Sequence, residues 1–61
     1  MSNFLKEAKR QSLLDSAYDL FLEKGMISTT ISDIVQRADV AKGTFYLYYK
    51  DKDDIFHALV E

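Results

Sequence analysis

The side chains with chemistry to offer gather in the second half of the chain. They are Lys42, Thr44, Tyr46, Tyr48 and Lys52, with Thr30 ahead of them and a lone His57 behind. Ammonium groups and hydroxyls donate hydrogen bonds. Grouped donors suit an anionic or polar surface better than the making and breaking of covalent bonds. The parts of a catalyst are missing: no nucleophile stands beside a base, and no glycine-rich phosphate loop occurs. His57 lacks a second ligand at metal spacing, because Asp53 and Asp54 face the start of a helix and Glu61 is the last residue. No enzyme activity, cofactor or metal is expected. The absence of cysteine excludes disulfides and fits a reducing compartment, so a cytoplasmic location is expected. No apolar run nears the roughly 20 residues of a membrane helix. The mixed residues 1–9 do not read as a signal peptide, and no membrane partner is expected.

These donors need elements to hold them, and 61 residues allow one small domain. Leu13, Leu14, Ala17, Leu20 and Phe21 recur at helical spacing, with Gln11, Asp15, Asp19 and Glu23 on the opposite face. They predict a first helix from about residue 5 to residue 24, capped by Ser2 or Asn3 and stopped by Gly25. Met26 then packs back on Phe21. Thr30 with Asp33 forms a capping box for a second helix over residues 31–38, whose apolar stripe is Ile31, Ile34, Val35 and Ala38. Asp39 tolerates the tight turn that follows. Residues 44–49 are β-prone by propensity, but no second strand exists to pair with them. A third helix over residues 42–48 is therefore predicted, with Phe45, Tyr49 and Val40 turned to the core. Asp51 caps a fourth helix from about residue 52, carrying Ile55, Phe56, Leu59 and Val60. Its stripe is unfinished at Glu61, so the chain reads as the front of a longer protein. The expected fold is all-α: a three-helix, homeodomain-like helix-turn-helix bundle plus the start of a fourth helix.

Thr29-Thr30 precede Ile34-Val35, Val40 leads into Lys42-Gly43-Thr44-Phe45-Tyr46, and Lys52 lies six residues beyond Tyr46. This ordered set resembles the N-terminal DNA-binding domain of the tetracycline-repressor (TetR) family, across essentially the whole chain. The resemblance implies a homodimeric bacterial transcriptional regulator, usually a repressor, on a palindromic double-stranded DNA operator. It also implies a larger C-terminal domain, absent from this chain, that dimerises and binds a small-molecule inducer.

In a helix-turn-helix the second helix of the motif enters the major groove. Lys42 can then donate to a guanine edge or to a phosphate. Gly43 would allow the backbone close to the sugar-phosphate chain, and Thr44 offers a hydroxyl to phosphate and a methyl to thymine. Tyr46 resembles the family tyrosine that bonds a phosphate, while Leu47 and Tyr48 stand at variable positions that can touch bases or sugars. Thr30 and the start of the second helix form an expected phosphate site, and Lys52 an expected phosphate clamp. Lys6, Lys9 and Arg10 form a basic patch that could reach a flanking phosphate. Two positions depart from the family pattern: Ala41 stands where a polar cap is common, and Asp39 replaces a common glycine. The net charge of −2 argues mildly against nucleic acid, yet no carboxylate interrupts residues 41–50. The alternative is a small helical protein-interaction module with an apolar surface centred on Tyr46 and Tyr48.

Overall fold

A computed structural model describes the backbone from residue 2 and the side chains from residue 7. The proposed caps Ser2 and Asn3, and Lys6 of the basic patch, have side chains outside the described residues. Four helices follow in order: α1 (Ser2–Lys24), α2 (Ile31–Ala38), α3 (Lys42–Tyr48) and α4 (Lys52–Val60). No strand occurs among the described residues, and the β-prone segment is helical. α1 starts ahead of residue 5 because apolar periodicity marks only the part of a helix that packs.

One core joins all four elements. Leu13, Ala17 and Leu20 of α1 meet Ile34, Val35 and Ala38 of α2, with Phe45, Tyr49 and Ile55 completing the cluster. Fully burying an aliphatic or phenylalanine side chain contributes about 1.5–3 kcal/mol. A domain this small has few such residues, so each one matters. The rings of Phe21 and Phe56, 6.1 Å apart, link α1 to α4.

The turns follow from local chemistry. Gly25 takes φ 83°, and its N–H donates to the Phe21 carbonyl at 3.0 Å, closing α1. Thr30 caps α2 with its hydroxyl, and Asp33 reciprocates, as the capping box requires. Asp39 ends α2 in the left-handed region at φ 60°. Its N–H bonds the Gln36 carbonyl at 3.2 Å, and that of Val40 the Val35 carbonyl at 3.0 Å. Asp39 thus does the work of the glycine it replaces. Ser12 on α1 donates to the Ala38 carbonyl at 3.3 Å, giving the end of α2 a further partner. Lys24–Asp33 at 2.9 Å and Arg37–Glu23 at 2.8 Å bridge α1 and α2. These pairs are half-exposed, so each contributes modestly.

Candidate nucleic-acid interface

The roll of α3 is set by Phe45, which is fully buried. The Tyr46 ring meets it edge-on at 5.5 Å and the Tyr49 ring tilts against it at 5.8 Å. With Phe45 facing inward, Lys42, Gly43, Tyr46 and Leu47 are exposed, Tyr46 by 53% and Leu47 by 78%. Thr44 is half-buried. Tyr48 is also half-buried, packed against the core beside the Tyr49 ring. Tyr46 and Tyr48 therefore do not share one open surface.

Lys42 Nζ donates to Ser32 Oγ at 3.3 Å, which brings the start of α3 against the first turn of α2. Nothing in the spacing marked Ser32. The available signal was its position two residues after the Thr30 cap, on an exposed turn. Gly43 has open space where a Cβ would stand, with nothing within 4 Å. The fold itself does not require glycine there. Ala41 precedes α3 in extended backbone and supplies no side-chain cap.

At the start of α2 the internal partners are well used. The Thr30 hydroxyl accepts from the Asp33 N–H at 3.0 Å, and Asp33 Oδ2 accepts from the Thr30 N–H at 3.0 Å. Asp33 also pairs with Lys24. The bond from Lys24, followed by those from the Thr30 backbone and side chain, lowers the Asp33 carboxyl to about 2. A carboxylate thus occupies part of the place expected for a phosphate. The amides of Ile31 and Ser32, which a helix start does not satisfy from within, are the donors left over.

Lys52 sits at the start of α4, and its ammonium donates to the Met26 carbonyl at 2.7 Å. The expected phosphate clamp is therefore bonded to the α1–α2 turn. α4 itself is capped by Asp51, which accepts from the Asp54 N–H at 2.9 Å, while Asp54 accepts from the Lys50 N–H at 2.8 Å. His57 lies edge-on to the Phe56 ring at 6.2 Å. Among the described residues, Lys9, Lys42, Lys50 and Lys52 have no carboxylate within ion-pair distance.

A separate apolar groove of about 270 Å³ runs between α1 and α4, lined by Tyr18, Phe21, Leu22, Phe56, Leu59 and Val60. This apolar groove lies away from Tyr46 and Tyr48, on which the interaction-module alternative centres its surface.

A sequence model of the bacterial regulatory proteins of the tetR family matches residues 13–59. The uncharacterized HTH-type transcriptional regulator YvdT of Bacillus subtilis (strain 168) is 42% identical over 53 residues, covering 87% of this chain and 27% of that protein. The HTH-type transcriptional regulator AcrR of Shigella flexneri is 40% identical over 52 residues, covering 85% of this chain and 24% of that protein. IcaR of Staphylococcus epidermidis (strain ATCC 35984 / DSM 28319 / BCRC 17069 / CCUG 31568 / BM 3577 / RP62A), the negative transcriptional regulator of the biofilm operon icaADBC, is 35% identical over 52 residues, covering 85% of this chain and 28% of that protein. The chain spans about a quarter of the length of these curated relatives. No solved structure matches it.

Proposed function

Since the chain belongs to the tetR family of bacterial regulatory proteins, helix-turn-helix DNA-binding regulators and not enzymes, we propose that it binds duplex DNA sequence-specifically with α3 in the major groove. The observation that carries this reading is the outer face of α3. Buried Phe45 turns Lys42, Gly43, Tyr46 and Leu47 outward together, and no carboxylate lies between Ala41 and Lys50. In this reading Lys42 reads a base edge or a phosphate, and the Gly43 backbone approaches the strand. Thr44 and Tyr46 bond phosphate, and Leu47 and the flank of Tyr48 meet bases or sugars. Thr30 contributes through the start of α2.

The finer proposal is a cytoplasmic, ligand-responsive repressor that binds a palindromic operator as a homodimer. Dimerisation and the small-molecule inducer belong to a C-terminal domain absent from this chain. The much greater length of the relatives supports that division, and the negative regulation named for IcaR supports repression. The apolar groove between α1 and α4 supports a covering partner on the side of α4.

The test is selection of bound duplex from a random pool, followed by titration of the selected sequence over a salt series. Binding should weaken linearly in log–log form as counterions are released. Half-sites should recur about one helical turn apart or a multiple of it. Lys42→Ala should change the preferred sequence if Lys42 reads a base, and weaken all sequences alike if it holds phosphate. Absence of salt-dependent duplex binding would overturn the proposal. Unchanged DNA affinity in Lys42→Ala would favour a protein-contact role for α3.

A further inference from the structure

We infer that Leu47 is a specificity-determining residue, which seats on the 5-methyl group of a thymine in the major groove. The inference rests on the reading of α3 proposed above and names the base that one of its side chains meets. Its first support is angular. An α-helix turns about 100° per residue, so Leu47, two places after the fully buried Phe45, lies about 200° round from it. Gly43, two places before Phe45, lies about 160° round in the same sense, so the two form one row a helical turn apart. This row points straight away from the core and carries no hydrogen-bonding side chain. The donors stand on its flanks, Lys42 and Tyr46 on one side, Thr44 and Tyr48 on the other.

The second support is exposure. Leu47 belongs neither to the core cluster nor to the groove that Leu22, Phe56 and Val60 line between α1 and α4. Ile27 is as open, but it stands in the α1–α2 turn and not on α3. The third support is chemical. A leucine side chain neither donates nor accepts a hydrogen bond, so it gains nothing from a phosphate. Over the edge of guanine, adenine or cytosine it would displace water from a donor or acceptor and offer no bond in return. Thymine alone among the four bases presents a methyl group in the major groove, and burying that methyl against Leu47 removes apolar surface of both from water. Gly43 adds no side chain to the row, so the duplex can close on it until Leu47 makes contact; a Cβ there would meet nothing within the chain.

The test starts from the duplex that the unaltered chain selects. Each thymine of one half-site is replaced in turn by deoxyuridine, which removes the methyl group and keeps every hydrogen-bonding atom. Leu47→Ala, a change at an exposed position that leaves the core intact, is titrated on the same set. At one thymine the replacement should weaken binding of the unaltered chain about four-fold, the worth of one buried methyl-sized group. Leu47→Ala should bind the thymine duplex more weakly than the unaltered chain and lose nothing further with deoxyuridine at that place. Equal losses there in the two proteins would overturn the inference and assign the methyl group to another side chain. Absence of any sensitive thymine would overturn it too, as would a Leu47→Ala affinity equal to that of the unaltered chain. An unaltered chain that selects no duplex would overturn the reading of α3 and this inference with it. Binding that ignores the methyl group removes the inference alone.

Discussion

Gly43 separates what the fold needs from what DNA would need. Glycine within a helix costs about 0.5–1 kcal/mol relative to alanine, through the backbone freedom it loses on folding. That cost is sometimes required by a positive φ or by a close neighbour. Neither applies to Gly43, which lies inside α3 with nothing within 4 Å of an added Cβ. Gly43→Ala should therefore stabilise the free chain by about 0.5–1 kcal/mol. For a domain of this length 1 kcal/mol corresponds to about 4–8 °C in Tm, so a rise of about 2–8 °C is expected. Duplex affinity should move the other way. If the residue 43 backbone donates to a phosphate, a methyl group holding it off forfeits a charged hydrogen bond of about 1.5–3 kcal/mol, roughly 10- to 100-fold in Kd. The assay pairs thermal unfolding followed by circular dichroism with fluorescence anisotropy on the selected duplex. A higher Tm with unchanged affinity would refute the close approach to DNA. A lower Tm would refute the helix reasoning before DNA is considered.

Tyr46→Phe should keep the edge-on contact with Phe45 and leave Tm unchanged. Duplex affinity should fall about 10- to 100-fold for all sequences alike, as loss of a bond to a charged group does, and a sequence-dependent loss in a binding-selection series would assign Tyr46 to base reading. Ala41→Ser should supply the cap that α3 lacks and add about 0.5–2 kcal/mol, read as a higher melting temperature that Ala41→Val does not reproduce. Asp33, lowered from 3.8 to about 2 chiefly by Lys24 and then by Thr30, stabilises the fold above the ordinary carboxylate range. That contribution is lost as pH falls through about 2, so denaturant titrations should show a stability slope between these limits that Asp33→Asn flattens.

The features legible in the sequence were those settled within a few residues. Gly25 ends a helix because of its own backbone freedom, and Thr30 with Asp33 makes a capping box because three residues is the reach of that motif. Phe45 reads as core once α3 is helical, and the lack of a strand partner points to helix there against local propensity. The contacts that stayed hidden join residues far apart in sequence. Lys52 and Met26 are 26 residues apart, and Lys42 and Ser32 are 10 apart, so only the packed arrangement of the four helices brings them together. Thr29 was visible as part of a motif but not as a fully buried residue whose hydroxyl donates to the Gly25 carbonyl, because such a hydroxyl looks the same in sequence as a solvated one. Tyr46 and Tyr48 show a different limit. A helix of 7 residues makes too few turns for periodicity to distinguish an exposed tyrosine from one two places on that leans against Tyr49.

The acidic balance of the chain loses its force once its carboxylates are followed to their partners. Glu7 pairs with Arg10, Asp33 with Lys24, and Asp19 and Glu23 with Arg37. Asp51 and Asp54 are committed to backbone N–H groups at the start of α4. Lys42 and Lys50, at the two ends of the stretch that carries α3, have no such partner among the described residues. At physiological ionic strength charges are screened over about 8 Å. A phosphate docked on α3 would therefore feel the cations beside it more than Asp19 and Glu23 of α1, which are held by Arg37. Net charge is thus the wrong quantity for judging this surface; the arrangement of unpaired cations is the right one. It also sets the direction of a decisive measurement: neutralising Asp15, which bonds Gln11 rather than a cation, changes net charge by as much as Lys42→Ala but should leave the salt slope of duplex binding where it was.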